Sequence, residues 1–200
     1  MTCETFQHSS QFEQAYARFD EENSRDPNTE KENGAAYPRE LLYAKRLTDW
    51  VLKLDPQASE ALRLAARCQH ICRWMIPRDS YEMNRAGYLQ WRNALKQLHA
   101  AKAGDILRES GYPDTLIQSV QDLNLKKNFP KDPESRSLED ALCLVFLQYQ
   151  FTDFMKGKEE SKLIEVLQKT WKKMSDAGRK QALLLPVEPK AKALIEKALS

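Results

Sequence analysis

The chain has 200 residues, 42% of them hydrophobic and 30% charged, with a net charge of +2. This composition suits one soluble globular domain with a real core, and the near balance of charge gives no ground for a polybasic nucleic-acid or membrane tail. The longest apolar run, Ala141 to Leu147, is far short of the ~18 residues of a spanning helix, and the N-terminus lacks the basic and apolar regions of a secretory signal. A cytoplasmic location with no membrane partner is therefore expected.

Phe6 to Glu22 has the spacing of an amphipathic helix, with Phe12, Ala15, Tyr16 and Phe19 on one face. The polar stretch that follows, about 22–38, reads as a flexible connector. A second helix is expected from about Pro38 to Leu54. Asp55-Pro56 restarts the chain into a third helix ending near Trp74, on which Arg63, Arg67, His70 and Trp74 share one stripe. The rest of that helix is apolar nearly all round, which places it centrally. Ile76 to Arg85 reads as a loop. Ala86 to Gly111 is the fourth helix, carrying Tyr88, Arg92, Leu95 and His99 at i, i+4, i+7 and i+11. A short fifth helix runs from Tyr112-Pro113 to about Leu125, and a polar loop covers about 126–136.

Ser137 is expected to cap the next helix, through the SLED sequence. An amphipathic helix over Lys162 to Met174 and short ones over Asp176 to Leu184 and Pro189 to Leu199 complete the chain. Six glycines and nine prolines are too few for a turn-rich β fold. The expectation is an all-α bundle of about eight or nine helices, with residues 1–200 as a single domain.

Four cysteines, Cys3, Cys68, Cys72 and Cys143, supply no second pair for a zinc site. They read as reduced, mostly buried thiols. The stretch from Gln69 to Arg92 is the most unusual in the chain. It holds four arginines, two tryptophans, two tyrosines and a histidine, and no lysine. Arginine is preferred over lysine where a planar fork must grip phosphate or carboxylate, or stack on an aromatic ring. Arg67, Arg73, Arg78, Arg85 and Arg92 are thus candidate phosphate-binding residues, and Trp74, Tyr88 and Trp91 candidate stacking partners for a base. The alternative is a set of internal ion pairs.

His70 and His99 sit mid-helix among core positions. Two such histidines, with an inward-facing acid at Glu139 or Asp140, can form a metal site or an acid–base group. Taken singly, each reads more simply as a hydrogen-bonded interior histidine. Lys173-Met174-Ser175 is similar to part of a synthetase signature, but its partner motif is missing, and Ser175 reads better as a helix cap.

In order, AARCQHICRWMIPR, AGYLQWRNALKQLHA, SLEDALCLVFL and KTWKKMS resemble the family described as domain of unknown function 4202, over about Phe12 to Leu199. That resemblance implies a fold and brings no activity. The chain also resembles, more weakly, the HD-domain phosphohydrolases, all-α proteins that hold a divalent metal with a histidine, a His-Asp pair and a later aspartate. Gln69-His70 would occupy the pair, Glu40 would replace the first histidine, and Glu139 or Asp140 would stand near the late aspartate. His99 would add a ligand that the pattern lacks.

Together these readings imply a phosphate-bearing, nucleotide-like ligand in an Arg/His/Trp-lined pocket. If the chain is an enzyme, it is a metal-dependent phosphohydrolase with His70, His99 and Glu139 as catalytic residues. A divalent ion (Mn, Mg, Zn or Fe) would be held by His70, His99, Glu139 and Asp140. The alternative is a non-catalytic RNA- or tRNA-binding protein using the same arginine and aromatic surface. A scaffold with every arginine paired internally is a third reading. Oligomeric state is open.

Overall fold

Ten α-helices and one short hairpin make up the computed structural model over its described residues, 10–199. The all-α expectation holds. Cys3 and the expected helix start at Phe6 lie outside the described residues. The chain divides into two compact units. The first contains the chain up to Lys45 and Ser59–Lys127, and the second contains Arg46–Ala58 and the chain from Asn128 onward.

In the first unit, helix α1 (Ser10–Ser24) buries Phe12, Ala15 and Phe19 at helical spacing. Burying a phenylalanine such as Phe19 contributes roughly 2–3 kcal/mol. The expected connector is then folded. Strands β1 (Thr29–Glu32) and β2 (Ala35–Pro38) form an antiparallel hairpin, with Thr29 opposite Pro38. Asn33 and Gly34 make its turn with φ of 50° and 83°. Two positive φ values match the right-handed twist of a tight hairpin, and Asn-Gly adopts them most easily.

Helix α2 (Arg39–Leu54) follows, and α3 (Glu60–Cys68) starts at Ser59, whose hydroxyl accepts the Leu62 N–H. Here the structure departs from the sequence reading. Helix α3 stops at Cys68, not near Trp74. Cys72 adopts a left-handed conformation (φ 55°), and only a short 3-10 turn, Arg73–Met75, follows. The Asn23 side chain accepts the Cys72 N–H at 3.3 Å and helps hold this turn. No glycine or proline announces it, so the helical period ran on in the sequence. Helices α4 (Arg85–Glu109) and α5 (Asp114–Leu125) complete the unit. Gly111, at φ 82°, lets the chain reverse after α4. Helix α3 packs on α1 and α5, and α4 packs on α5. Leu62, Leu64, Ala65, Ala103, Leu107 and Val120 are fully buried.

In the second unit, α6 (Pro133–Val145) begins earlier than expected. Asp132 is its cap, accepting the Ser135 N–H at 2.7 Å, with Pro133 in the first turn. Ser137 is thus inside the helix. A π-helical stretch, Phe146–Gln150, joins α6 to α7 (Phe151–Phe154). Gln148 and Tyr149 in this stretch engage the second half of α2. Trp50 Nε1 donates to Gln148 Oε1 at 2.8 Å, and the Arg46 guanidinium lies 4.1 Å from the Tyr149 ring centre. Helices α8 (Glu160–Lys173), α9 (Asp176–Leu183) and α10 (Pro189–Leu199) follow, with α8 and α9 packed on α6 and α10 packed on α8. Ser175 caps α9 as expected, accepting the Gly178 N–H at 3.2 Å. Among the described residues no helix is long and apolar enough to cross a membrane.

Candidate functional site

The first unit gathers a group of ionisable side chains around the ends of α1, α2 and α3. Asp26, just past α1, is buried and builds the frame. One of its oxygens accepts the Glu40 N–H at 3.0 Å, and the other accepts the Asn28 N–H at 2.9 Å. It thereby satisfies an orphan donor in the first turn of α2, the task of a cap residue, from outside the helix. Glu40 is fixed by this contact, and its side chain turns inward, only 7% exposed.

The turn after α3 brings His70 to Glu40. Its Nδ1 lies 3.5 Å from Glu40 Oε2, and its ring stacks on Tyr43 of α2 with centroids 4.3 Å apart and planes 15° apart. Arg73 follows one 3-10 turn later. Its Nε is 3.7 Å from Glu40 Oε1, and its guanidinium lies 4.9 Å from the Trp91 ring centre. From α4, the His99 ring comes within 5.7 Å of the His70 ring. His99 Nδ1 is 2.7 Å from the Ile71 carbonyl oxygen. A carbonyl can only accept, so Nδ1 carries the proton and Nε2 holds a bare lone pair.

The charges in this cluster follow from burial. Desolvation pushes the Glu40 carboxyl up to about 7 against the pull of the Arg73 cation. His99 is held down at about 3, first by burial and then by His70. His70 stays well below the ordinary imidazole value, because burial and the positive charges of Arg73, Arg92 and Lys126 oppose a further proton. At neutral pH the cluster is two neutral imidazoles beside a carboxyl close to its own midpoint, in a positive field. Such a group can take up or release a proton and can balance an added anion.

The arginines divide into two sets. Arg67 forms a two-pronged pair with Asp20 of α1, both contacts at 2.6 Å. Arg78 donates to the carbonyls of Tyr81, Glu82 and Asn84 and so ties up the loop before α4. These two hold structure. Arg73 belongs to the Glu40 group. Arg85 is exposed and Arg92 half-buried, and neither has a hydrogen-bond or ion-pair partner among the described residues. Trp91 is buried and donates from Nε1 to the Ile76 carbonyl at 2.9 Å. Trp74 is half-buried. Tyr88, 44% exposed, is the candidate aromatic that shows most of its ring to solvent.

Glu139 and Asp140 belong to the second unit, and both face inward at 4% exposure. Asp140 accepts the Ser175 N–H at 2.8 Å as well as the Ser175 hydroxyl, and so anchors the start of α9. Glu139 has Lys173 Nζ at 3.4 Å. Among the described residues no group of three or more His, Cys, Asp or Glu side chains is placed to hold a metal ion. The side-chain geometry of the described residues therefore gives no ligand set for a divalent ion. Asp26 and Tyr43 escaped the sequence reading. A lone acid in a loop and a tyrosine at ordinary core spacing carry no signal of their own, although Tyr43 lies three residues after Glu40, where two side chains share a helix face.

A family model, the domain of unknown function DUF4202, matches residues 13–195, and the chain belongs to that family. No curated protein and no solved structure gives a match.

Proposed function

We propose that the first unit binds a phosphate-bearing, nucleotide-like ligand at His70, Arg73 and Arg92. The observation that carries this reading is a charge imbalance around one buried carboxyl. Arg73, Arg92 and Lys126 raise the potential at His70, while Glu40, half-protonated near pH 7, and Asp26 supply the nearby negative charge. Arg92 is half-buried with no anionic partner among the described residues. A phosphate oxygen would provide one, as a charge-assisted hydrogen bond. Tyr88, with Arg78 5.9 Å from its ring centre, offers a face on which a base can stack.

If a reaction follows binding, Glu40 and His70 are the proton-handling groups. Glu40 is near its midpoint at neutral pH, as a general acid or base should be. The free thiols of Cys68, Cys72 and Cys143 fit a cytoplasmic setting, where they stay reduced. The RNA-binding alternative has weaker support. It needs arginines and aromatics spread over an open surface, whereas Arg67, Arg78 and Trp91 are committed to internal partners.

Isothermal titration of the full chain with adenosine 5′-monophosphate tests the reading. Saturable binding is expected, weakened about tenfold or more by Arg92→Ala, the loss of one charge-assisted hydrogen bond. A variant that binds as well as the wild type would refute the assignment. Binding of a single-stranded oligonucleotide but not of the mononucleotide, with a steep salt dependence, would favour the RNA reading.

A further inference from the structure

The phosphate reading leaves two buried atoms of the same cluster unexplained. His99 is 3% exposed, and its Nε2 has no hydrogen-bond partner among the described residues. Glu40 Oε2 is likewise buried without one, the 3.5 Å approach of His70 Nδ1 not being a hydrogen bond. His99 Nε2 can only accept, and Glu40 Oε2 accepts in the carboxylate form. His99 Nε2 is an acceptor because Nδ1 holds the ring proton against the Ile71 carbonyl. Native proteins rarely leave such atoms without a donor, since burial strips them of water.

We propose that these two acceptors receive the hydroxyl groups of the ligand's sugar, so that the site recognises a sugar phosphate unit rather than phosphate alone. This rests on the phosphate reading above. Three observations favour a hydroxyl. The positive field of Arg73 and Arg92 opposes an ammonium or a metal cation but not a neutral donor. A carboxylate oxygen and a bare imidazole nitrogen both accept from O–H, and together they can hold two hydroxyls at once. The spacing also fits. Arg73 Nε lies 3.7 Å from the Glu40 carboxylate, so a phosphate on Arg73 and a donor on Glu40 must sit close together in the ligand. The hydroxyls of a sugar ring lie that near to its phosphate, whereas an amino group on the base lies beyond them. The His70 and Arg73 side chains are 21% and 26% exposed, whereas Glu40 and His99 are buried behind them at 7% and 3%.

The test is isothermal titration of the full chain with two probes, ribose 5-phosphate and methyl phosphate. Both carry the phosphate, and the second has no hydroxyl. The wild type should bind ribose 5-phosphate at least tenfold more tightly. His99→Phe should bring that ratio toward one while methyl phosphate binding is kept, and Glu40→Leu should lower the ratio too, with methyl phosphate bound at least as tightly once the carboxyl beside Arg73 is gone. Circular dichroism reports whether each variant folds, and if neither does, the wild-type ratio decides. Equal affinity for the two probes overturns the hydroxyl receptor and leaves the phosphate site standing. Binding of neither probe overturns both.

Discussion

Glu40 and His70 meet at 3.5 Å inside the first unit, a carboxyl and an imidazole that burial drives toward their neutral forms from opposite directions. The result is a polar cluster with little charge of its own, surrounded by arginines. That relationship shapes how the protein should respond to pH.

An unfolded glutamate releases its proton near pH 4.5, and folded Glu40 does so near 7. Between those values the folded state holds the extra proton, so this group's contribution to stability declines as pH rises through that window. The histidines act with the opposite sign. Unfolded imidazoles gain a proton below 6.5, while His99 stays neutral down to about 3 and His70 stays neutral well below 6.5. Their contribution is lost as pH falls below 6.5. Two imidazoles outweigh one carboxyl, so net stability should drop on acidification. Glu40→Gln removes only the first effect. Relative to the wild type it should be more stable at pH 8 than at pH 5, by about 3 kcal/mol at most. Urea denaturation of both proteins at the two pH values measures this. An unchanged difference would mean that Glu40 is not a shifted carboxyl.

The Arg67–Asp20 pair joins α3 to α1 with two contacts of 2.6 Å, and the Arg67 side chain is only 11% exposed. Asp20→Ala leaves that guanidinium largely buried without its counter-ion. A loss of roughly 2–4 kcal/mol is expected, more than an exposed ion pair would give. Chemical denaturation reads it directly. A loss below about 0.5 kcal/mol would place the pair among ordinary surface contacts.

Gly178 lies against Asp140 so closely that a Cβ there would come within 2.5 Å of the carboxyl carbon. Gly178→Ala must push Asp140 away from Ser175, whose N–H it accepts at 2.8 Å. The variant should be destabilised by about 1–3 kcal/mol, visible as a lower Tm. Nucleotide binding at the first unit should survive in the folded fraction. An unchanged Tm would show that the start of α9 yields freely.

Much of this was legible in the sequence, and the misses have physical causes. The amphipathic period marked most of the helices, because one-sided burial is what holds them. The caps at Ser175 and Gly111 were readable because a cap hydroxyl and a positive φ are local requirements. The hairpin was missed although Asn33-Gly34 is a strong signal, because its strands of four residues alternate too briefly to stand out from a polar loop. The end of α3 was hidden because a cysteine, Cys72, takes the left-handed position, and a distant residue, Asn23, holds it there. The site was half legible. His70 and His99 pair in the sequence as mid-helix core histidines of neighbouring helices; their rings do lie 5.7 Å apart, but His70 sits in the turn after α3 and not within a helix. The cluster of Glu40, Tyr43 and Asp26 around them depends on contacts between α2 and the turn after α3, which no local pattern encodes. The sequence implies an inward-facing acid at Glu139 or Asp140, and both are buried at 4% exposure.

The most direct test of the central claim is ¹⁵N NMR of the histidine side chains during titration with adenosine 5′-monophosphate. Before ligand, His99 should show the neutral tautomer protonated on Nδ1, as its 2.7 Å contact with the Ile71 carbonyl requires. On titration the His70 and His99 signals should move together and saturate, and Arg92→Ala should weaken the response about tenfold or more. Signals that stay fixed at saturating nucleotide, in a folded protein, would contradict a phosphate-bearing ligand at this cluster.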